Sequence, residues 1–129
     1  MKPKILFHGS QKLQTILAPK QAMGFTAEDC LCGIYATSER KIAALFAINY
    51  IGYSEDARFE IEREGGAYYA CLYKTKVDLE QIGYLYHLAS DSFEKLDSNQ
   101  WISHQSIKPI KIEVIHPNDF KKYIRIMDQ

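Results

Sequence analysis

Three short segments of this chain combine residue types that can hold and activate a polar ligand. The first is His8-Gly9-Ser10, which ends the apolar run Lys4 to Phe7. A neutral imidazole at a strand end can bond a hydroxyl, and a glycine beside it lets a ligand approach the backbone. The second is Gly33-Ile34-Tyr35-Ala36-Thr37, in which a strand ends in an aromatic just before a helix. The third is Asn99-Gln100-Trp101-Ile102-Ser103. Each also has a plainer explanation: a capping serine beside a structural histidine, a core tyrosine, and a Trp-Ile pair in a sheet core. The glycine patterns of dinucleotide and P-loop sites, the nucleophile elbow and the paired-histidine zinc helix are missing from the sequence. A nucleotide bound here would therefore need a different kind of cleft.

The elements that must position these segments follow from hydrophobic period and turn chemistry. Lys4 to Phe7 reads as a strand. Ser10 is placed to cap a short helix with Leu13, Ile16 and Leu17 at helical spacing, stopped by Pro19. Residues 18–32 read as loop and Gly33 to Ala36 as a second strand. Thr37 or Ser38 then caps the clearest helix, roughly 39–51, with Ile42, Leu45, Phe46 and Ile48 as its stripe. Arg58 to Arg63 alternates around Phe59 and Ile61, Glu64-Gly65-Gly66-Ala67 signals a hairpin, and Ala67 to Tyr73 returns. Strands are expected at Tyr84 to Leu88, Gln100 to Ser103 and Ile107 to Ile115, with a helical turn at Ser92 to Leu96 and an edge strand at Tyr123 to Met127. The sum is an α+β fold with one long helix, one or two short ones, and a mostly antiparallel sheet split into two packed halves.

The 129 residues suit a single domain, 1–129, with 47% hydrophobic and 25% charged side chains. Net charge is zero, so no global field draws the chain to nucleic acid or anionic lipid. Residues 42–100 hold five basic and ten acidic groups, whereas 1–41 hold six and three, and 101–129 five and three. The longest apolar stretch, Ile42 to Tyr53, is too short for a membrane span. No signal-peptide apolar region precedes the first strand. The odd cysteine count, with Cys30, Cys32 and Cys71, points away from a disulfide framework and toward a reducing cytoplasm. A zinc site at Cys30-Leu31-Cys32 would depart from the usual two-residue knuckle. The tyrosines at 68, 69, 73, 84 and 86 fit either a base-stacking surface or ordinary strand packing.

Taken in order, the three segments resemble the ADP-ribosyltransferase superfamily, nearest to its poly-ADP-ribose polymerase-like branch with a histidine, a tyrosine and a glutamate on three core strands. Leu6-Phe7-His8-Gly9-Ser10 looks like the first motif and Gly33-Ile34-Tyr35-Ala36-Thr37 the second. Phe46, eleven positions after Tyr35, falls where the family often has a second aromatic. Gln100-Trp101-Ile102-Ser103, followed by Ile107-Lys108-Pro109-Ile110, is similar to the third motif of bacterial members. The resemblance spans roughly residues 4–116.

It implies an ADP-ribosyltransferase-like fold of split antiparallel sheets and NAD as substrate. His8, Tyr35 and Gln100 would be the catalytic set, and His8, Gly9, Ser10, Tyr35 and Phe46 would bind NAD. It further implies transfer of ADP-ribose to a protein or nucleic acid by a toxin-type or modifier enzyme, cytoplasmic, with an antitoxin as a further partner and no membrane. Two positions depart from the pattern. Gln100 stands where the family keeps glutamate, and Ala43 where it often has serine. Glu113 and Glu94 are the substitute carboxylates considered, and His104 the residue considered for positioning an acceptor. The expected outcome is an enzyme weakened or silenced at position 100. The alternatives are a non-catalytic NAD or ADP-ribose binding module and, behind it, an NAD-dependent RNA 2′-phosphotransferase. That last activity normally needs a cluster of cleft arginines.

Overall fold

The computed structural model describes residues 2–21, 32–97 and 99–127. The chain begins with β1 (Ile5–Ser10), β2 (Lys20–Gln21) and β3 (Cys32–Ala36), and then enters α1 (Arg40–Phe46). There follow β4 (Tyr50–Gly52), β5 (Arg58–Glu64), β6 (Ala67–Tyr73), β7 (Thr75–Val77) and β8 (Gly83–Ala89). The last third holds β9 (Glu94–Lys95), β10 (Trp101–Ser103), β11 (Lys111–Ile115), a 3-10 helix (Pro117–Tyr123) and β12 (Ile124–Ile126). The architecture is α+β, dominated by strands and carrying two short helices.

Four small sheets replace the two halves expected from the sequence. Their strand orders are β1-β8-β11, β2-β3-β10-β9, β12-β6-β5 and β4-β7. Every pairing is antiparallel except that of β12 with β6. Alternation along β1 and β8 divides the core. Leu85 faces α1, where Ala43, Ala44, Leu45, Ala47 and Ile48 pack with Ala70 and Leu72 of β6. Leu6, Tyr86 and Leu88 face the other way and pack with Ile34, Ala36, Phe93 and Trp101.

Two glycines let α1 lie directly on the strands. A Cβ at Gly9 would fall 2.0 Å from the Ala43 carbonyl oxygen, and one at Gly83 would fall 2.0 Å from that of Ala47. No side chain fits in either place. Gly9 is thus required by helix packing, whatever it also presents to a ligand. The β5–β6 turn is the other position that needs glycine, because Gly65 and Gly66 both have positive φ, 58° and 82°.

Several expectations are corrected. The helix 39–51 is only Arg40–Phe46, because Tyr50–Gly52 leaves it to pair with β7. Its N-cap is Glu39, without a side-chain cap; the Thr37 Oγ1 accepts from the Glu39 amide instead. The helix proposed after Ser10 does not form. Ser10 ends β1, Leu13 and Ile16 are 61% and 56% exposed, and only Leu17 is buried, so no apolar face exists to stabilise a helix. The Tyr86 hydroxyl instead donates to the Lys12 carbonyl at 2.6 Å and accepts from the Gln14 amide at 2.8 Å, fixing this stretch as irregular chain.

Ser92 to Leu96 is a turn running into β9, with Phe93 buried and the Ser92 and Ser103 hydroxyls 2.7 Å apart. Only Lys111–Ile115 of the stretch 107–115 is strand: Ile107 makes a lone bridge to Leu17, and Pro109, which has no N–H, separates the two. Within the expected loop 18–32, Lys20–Gln21 pairs with β3. Gly24, Glu28, Asp29 and the Cys30-Leu31 part of the zinc alternative lie outside the described residues.

Gly83→Ala tests the seating of the helix. Its methyl group would collide with the Ala47 backbone, and we expect a loss of about 1–3 kcal/mol, the range for overpacking a tight contact. Urea unfolding followed by circular dichroism measures it. An unchanged midpoint would refute the backbone-to-backbone contact.

Candidate functional site

A single non-local bridge brings the first two motifs together. Phe7 and Thr37 exchange backbone hydrogen bonds of 2.8 and 2.9 Å, so β1 crosses the end of β3 one residue before His8. The His8 Nδ1 then lies 2.6 Å from the Tyr35 carbonyl oxygen. A carbonyl only accepts, so Nδ1 carries the proton, and in the neutral tautomer this leaves Nε2 as the acceptor. The third motif arrives through register: Ile102 of β10 pairs with Tyr35, and Trp101 with Ala36. Gln100 precedes β10 in a tight turn. Its carbonyl accepts from the Leu96 amide at 2.8 Å, and its amide donates to the Asp97 Oδ1 at 2.9 Å.

These segments surround one cavity of about 1160 Å³. His8, Gly9, Ser10, Tyr35, Phe46 and Gln100 all line it, and so does Ala43. The proposed site residues therefore share one crevice. His8 and Tyr35 are half-buried at its wall, and Phe46 is 43% exposed with its ring edge-on to Phe59 at 5.7 Å. A site of roughly 300–1,000 Å³ takes a drug-sized molecule, so this cavity has room for a larger one. A smaller cavity of about 390 Å³ shares Gln11 and Phe46 with it and continues toward Tyr50, Phe59 and Thr75.

The substitute carboxylates fall elsewhere. Glu94 is exposed on β9 and is not in the lining. Glu113 of β11 is bound by Arg40 through Nη2 at 2.7 Å and Nε at 3.2 Å, and by the His87 Nε2. The Arg40 guanidinium, with the His87 bond adding to it against some desolvation, holds the Glu113 carboxyl down at about 2. This cluster ties the first turn of α1 to the β8–β11 pair. His104 is exposed after β10 and lies outside the lining.

The tyrosines form no common surface. Tyr86 is buried, Tyr69 and Tyr73 sit under Arg125 and Arg58, and only Tyr68 of the five reaches the cavity. Burial pushes the Tyr50 phenol up, so it stays neutral and donates to the Leu45 carbonyl at 2.8 Å. Burial likewise pushes the Cys71 thiol up to about 11, which leaves it unreactive at neutral pH. Among the described residues, no group of three or more His, Cys, Asp and Glu side chains is placed to hold a metal ion.

Four lining residues were not singled out by the sequence patterns, Gln11, Glu39, Arg63 and Asp97, and Tyr68 was marked only as one of five clustered tyrosines. For Arg63 a signal existed, since it continues the i, i+2 row begun by Phe59 and Ile61. Asp97 is occupied by its own turn, accepting from the amides of Asn99 and Gln100. No helix among the described residues is long and apolar enough to cross a membrane. No family model, curated protein or solved structure matches the chain.

Because the folded Glu113 carboxyl titrates at about 2 rather than near 4.5, its stabilisation is full above 4.5 and is lost as pH falls toward 2. Glu113→Gln should lower stability at neutral pH by about 1–3 kcal/mol, the scale of hydrogen bonds to charged groups. It should also flatten the acid limb of the profile. Thermal melts from pH 7 to 2 check this, and parallel limbs for the two proteins would count against it.

Proposed function

We propose that this chain binds NAD in the 1160 Å³ cavity and is built to transfer its ADP-ribosyl group to a macromolecule. The observation that carries the reading is the convergence of His8, Tyr35, Phe46 and Gln100 on that one cavity from β1, β3, α1 and the turn before β10. Their order along the chain resembles that of ADP-ribosyltransferases, and the α+β arrangement of small antiparallel sheets is compatible with that fold. The His8 Nε2 would accept from an adenosine ribose hydroxyl, while its Nδ1–H stays on the Tyr35 carbonyl. Tyr35 and Phe46 would hold the nicotinamide ring between them, each aromatic contact worth about 0.5–1.5 kcal/mol.

Departure of nicotinamide leaves positive charge on the ribose, as in glycoside cleavage. A carboxylate at position 100 would stabilise that charge. Gln100 offers a hydrogen-bond acceptor of the same size without the charge, and loss of one preorganised electrostatic group costs roughly 2.7–4 kcal/mol. The same neutral side chain favours a second reading, in which the cavity holds NAD or ADP-ribose without turning it over. Neither reading assigns the acceptor. A toxin-type role with an antitoxin partner belongs to the first and rests on the family analogy. The phosphotransferase reading has less support, since Arg63 is the one arginine in the lining.

The deciding experiment compares nicotinamide release from NAD by the chain and by Gln100→Glu, with binding followed by calorimetry. On the transferase reading, Gln100→Glu releases nicotinamide about 10²- to 10³-fold faster. Binding without release by either protein would leave the binding module. Absence of binding would sink both. His8→Ala should weaken NAD about tenfold or more, the scale of one lost buried hydrogen bond.

A further inference from the structure

The chain has four arginines, all among the described residues. Three are in ion pairs: Arg40 with Glu113, Arg58 with Glu60, and Arg125 with Glu64. Among the described residues Arg63 is in none, and no lysine or other arginine lines the 1160 Å³ cavity. Its position is set by β5. Phe59, Ile61 and Arg63 alternate onto one face of the strand, and the first two pack against the α1 core. Arg63 thus lies two residues, or about 7 Å, further toward the hairpin tip. It stands opposite Tyr68 of β6, with its guanidinium carbon 5.9 Å from that ring centre. The acidic lining residues come from other segments of the chain. Glu39 lies between β3 and α1, four residues after Tyr35, and Asp97 is in the turn that holds Gln100.

We propose that Arg63 is an anion subsite of this cavity that takes the diphosphate of the bound dinucleotide. This rests on the NAD reading for the identity of the ligand, though not for the chemistry of the subsite. A guanidinium binds phosphate oxygens through two parallel N–H donors, and one without a carboxylate partner gives up no protein contact to do so. The charge layout also sets direction. NAD has a cationic pyridinium and an anionic diphosphate, so the carboxylate-bearing walls beside Tyr35 and Gln100 suit the nicotinamide end and the hairpin suits the phosphates. Tyr68 braces the guanidinium from the neighbouring strand.

Calorimetric titration of the chain, Arg63→Gln and Arg63→Lys with NAD, inorganic pyrophosphate and nicotinamide tests this. Arg63→Gln should weaken NAD and pyrophosphate by about tenfold or more and leave nicotinamide unchanged, since only the charged hydrogen bonds are lost. Arg63→Lys should recover part of that loss. Between 50 and 200 mM salt, affinity for NAD should fall less for Arg63→Gln than for the original chain. Arg63 joins no ion pair of the fold, so melting temperatures should match and show that the variants are folded. Equal affinity of the chain and Arg63→Gln for both NAD and pyrophosphate overturns the subsite. Pyrophosphate binding that depends on Arg63, without NAD binding, keeps the subsite as an anion site and removes the dinucleotide. Binding of neither overturns the subsite and the NAD reading together.

Discussion

The contact of α1 with the backbones of Gly9 and Gly83 sets most of what surrounds it. Because nothing larger than hydrogen fits between the helix and β1 or β8, Ala43 and Ala47 touch the sheet directly. The helix is then fixed at a short distance from the strands, and Ala44 and Leu45, with Ile48 just past its end, meet Ala70 and Leu72 of β6. A close backbone approach of this kind is unforgiving, since interiors packed to crystal density relax little around an added methyl group. From that fixed helix, Phe46 is held at the cavity wall with its ring against Phe59.

Electrostatics is arranged outside the cavity as much as inside it. Arg40 and His87 converge on Glu113, joining the start of α1 to the sheet on which it lies. That carboxylate is committed to the fold and withdrawn from chemistry. Within the cavity the charged residues are few and come from separate segments, with Glu39 before α1, Asp97 in the turn at Gln100 and Arg63 on the hairpin.

Local chemistry made part of this readable in the sequence. The hairpin from Arg58 to Tyr73 follows from alternation and the Gly65-Gly66 pair, whose positive φ values are those the turn demands. The strand at Trp101 follows from its apolar run. The helix was read too long because Ile48 continues its apolar period, while the chain is turned aside by a pairing between Tyr50 and Val77 that no local pattern announces. Leu13, Ile16 and Leu17 have helical spacing but no surface to pack on, so spacing misled there. In the site, the residue types in the three motifs were visible, but their meeting depends on the Phe7–Thr37 bridge, a long-range contact. Arg63 was legible from its row on β5, though its lack of an ion pair among the described residues was not, since that depends on where the carboxylates settle.

Gln11 joins two things that are usually separate. Its Nε2 donates to the carbonyl of Phe46 at 2.9 Å, one of the groups a helix leaves open at its C-terminal end, and to that of Ile48 just beyond at 3.3 Å, and the same residue lines both cavities. A ligand that changed the Gln11 side chain on binding would therefore also change the support of the last helical turn, and by linkage the two effects would be reciprocal. A molecule resting on Gln11 would be felt as slower solvent exchange at the backbone amides around Ile48.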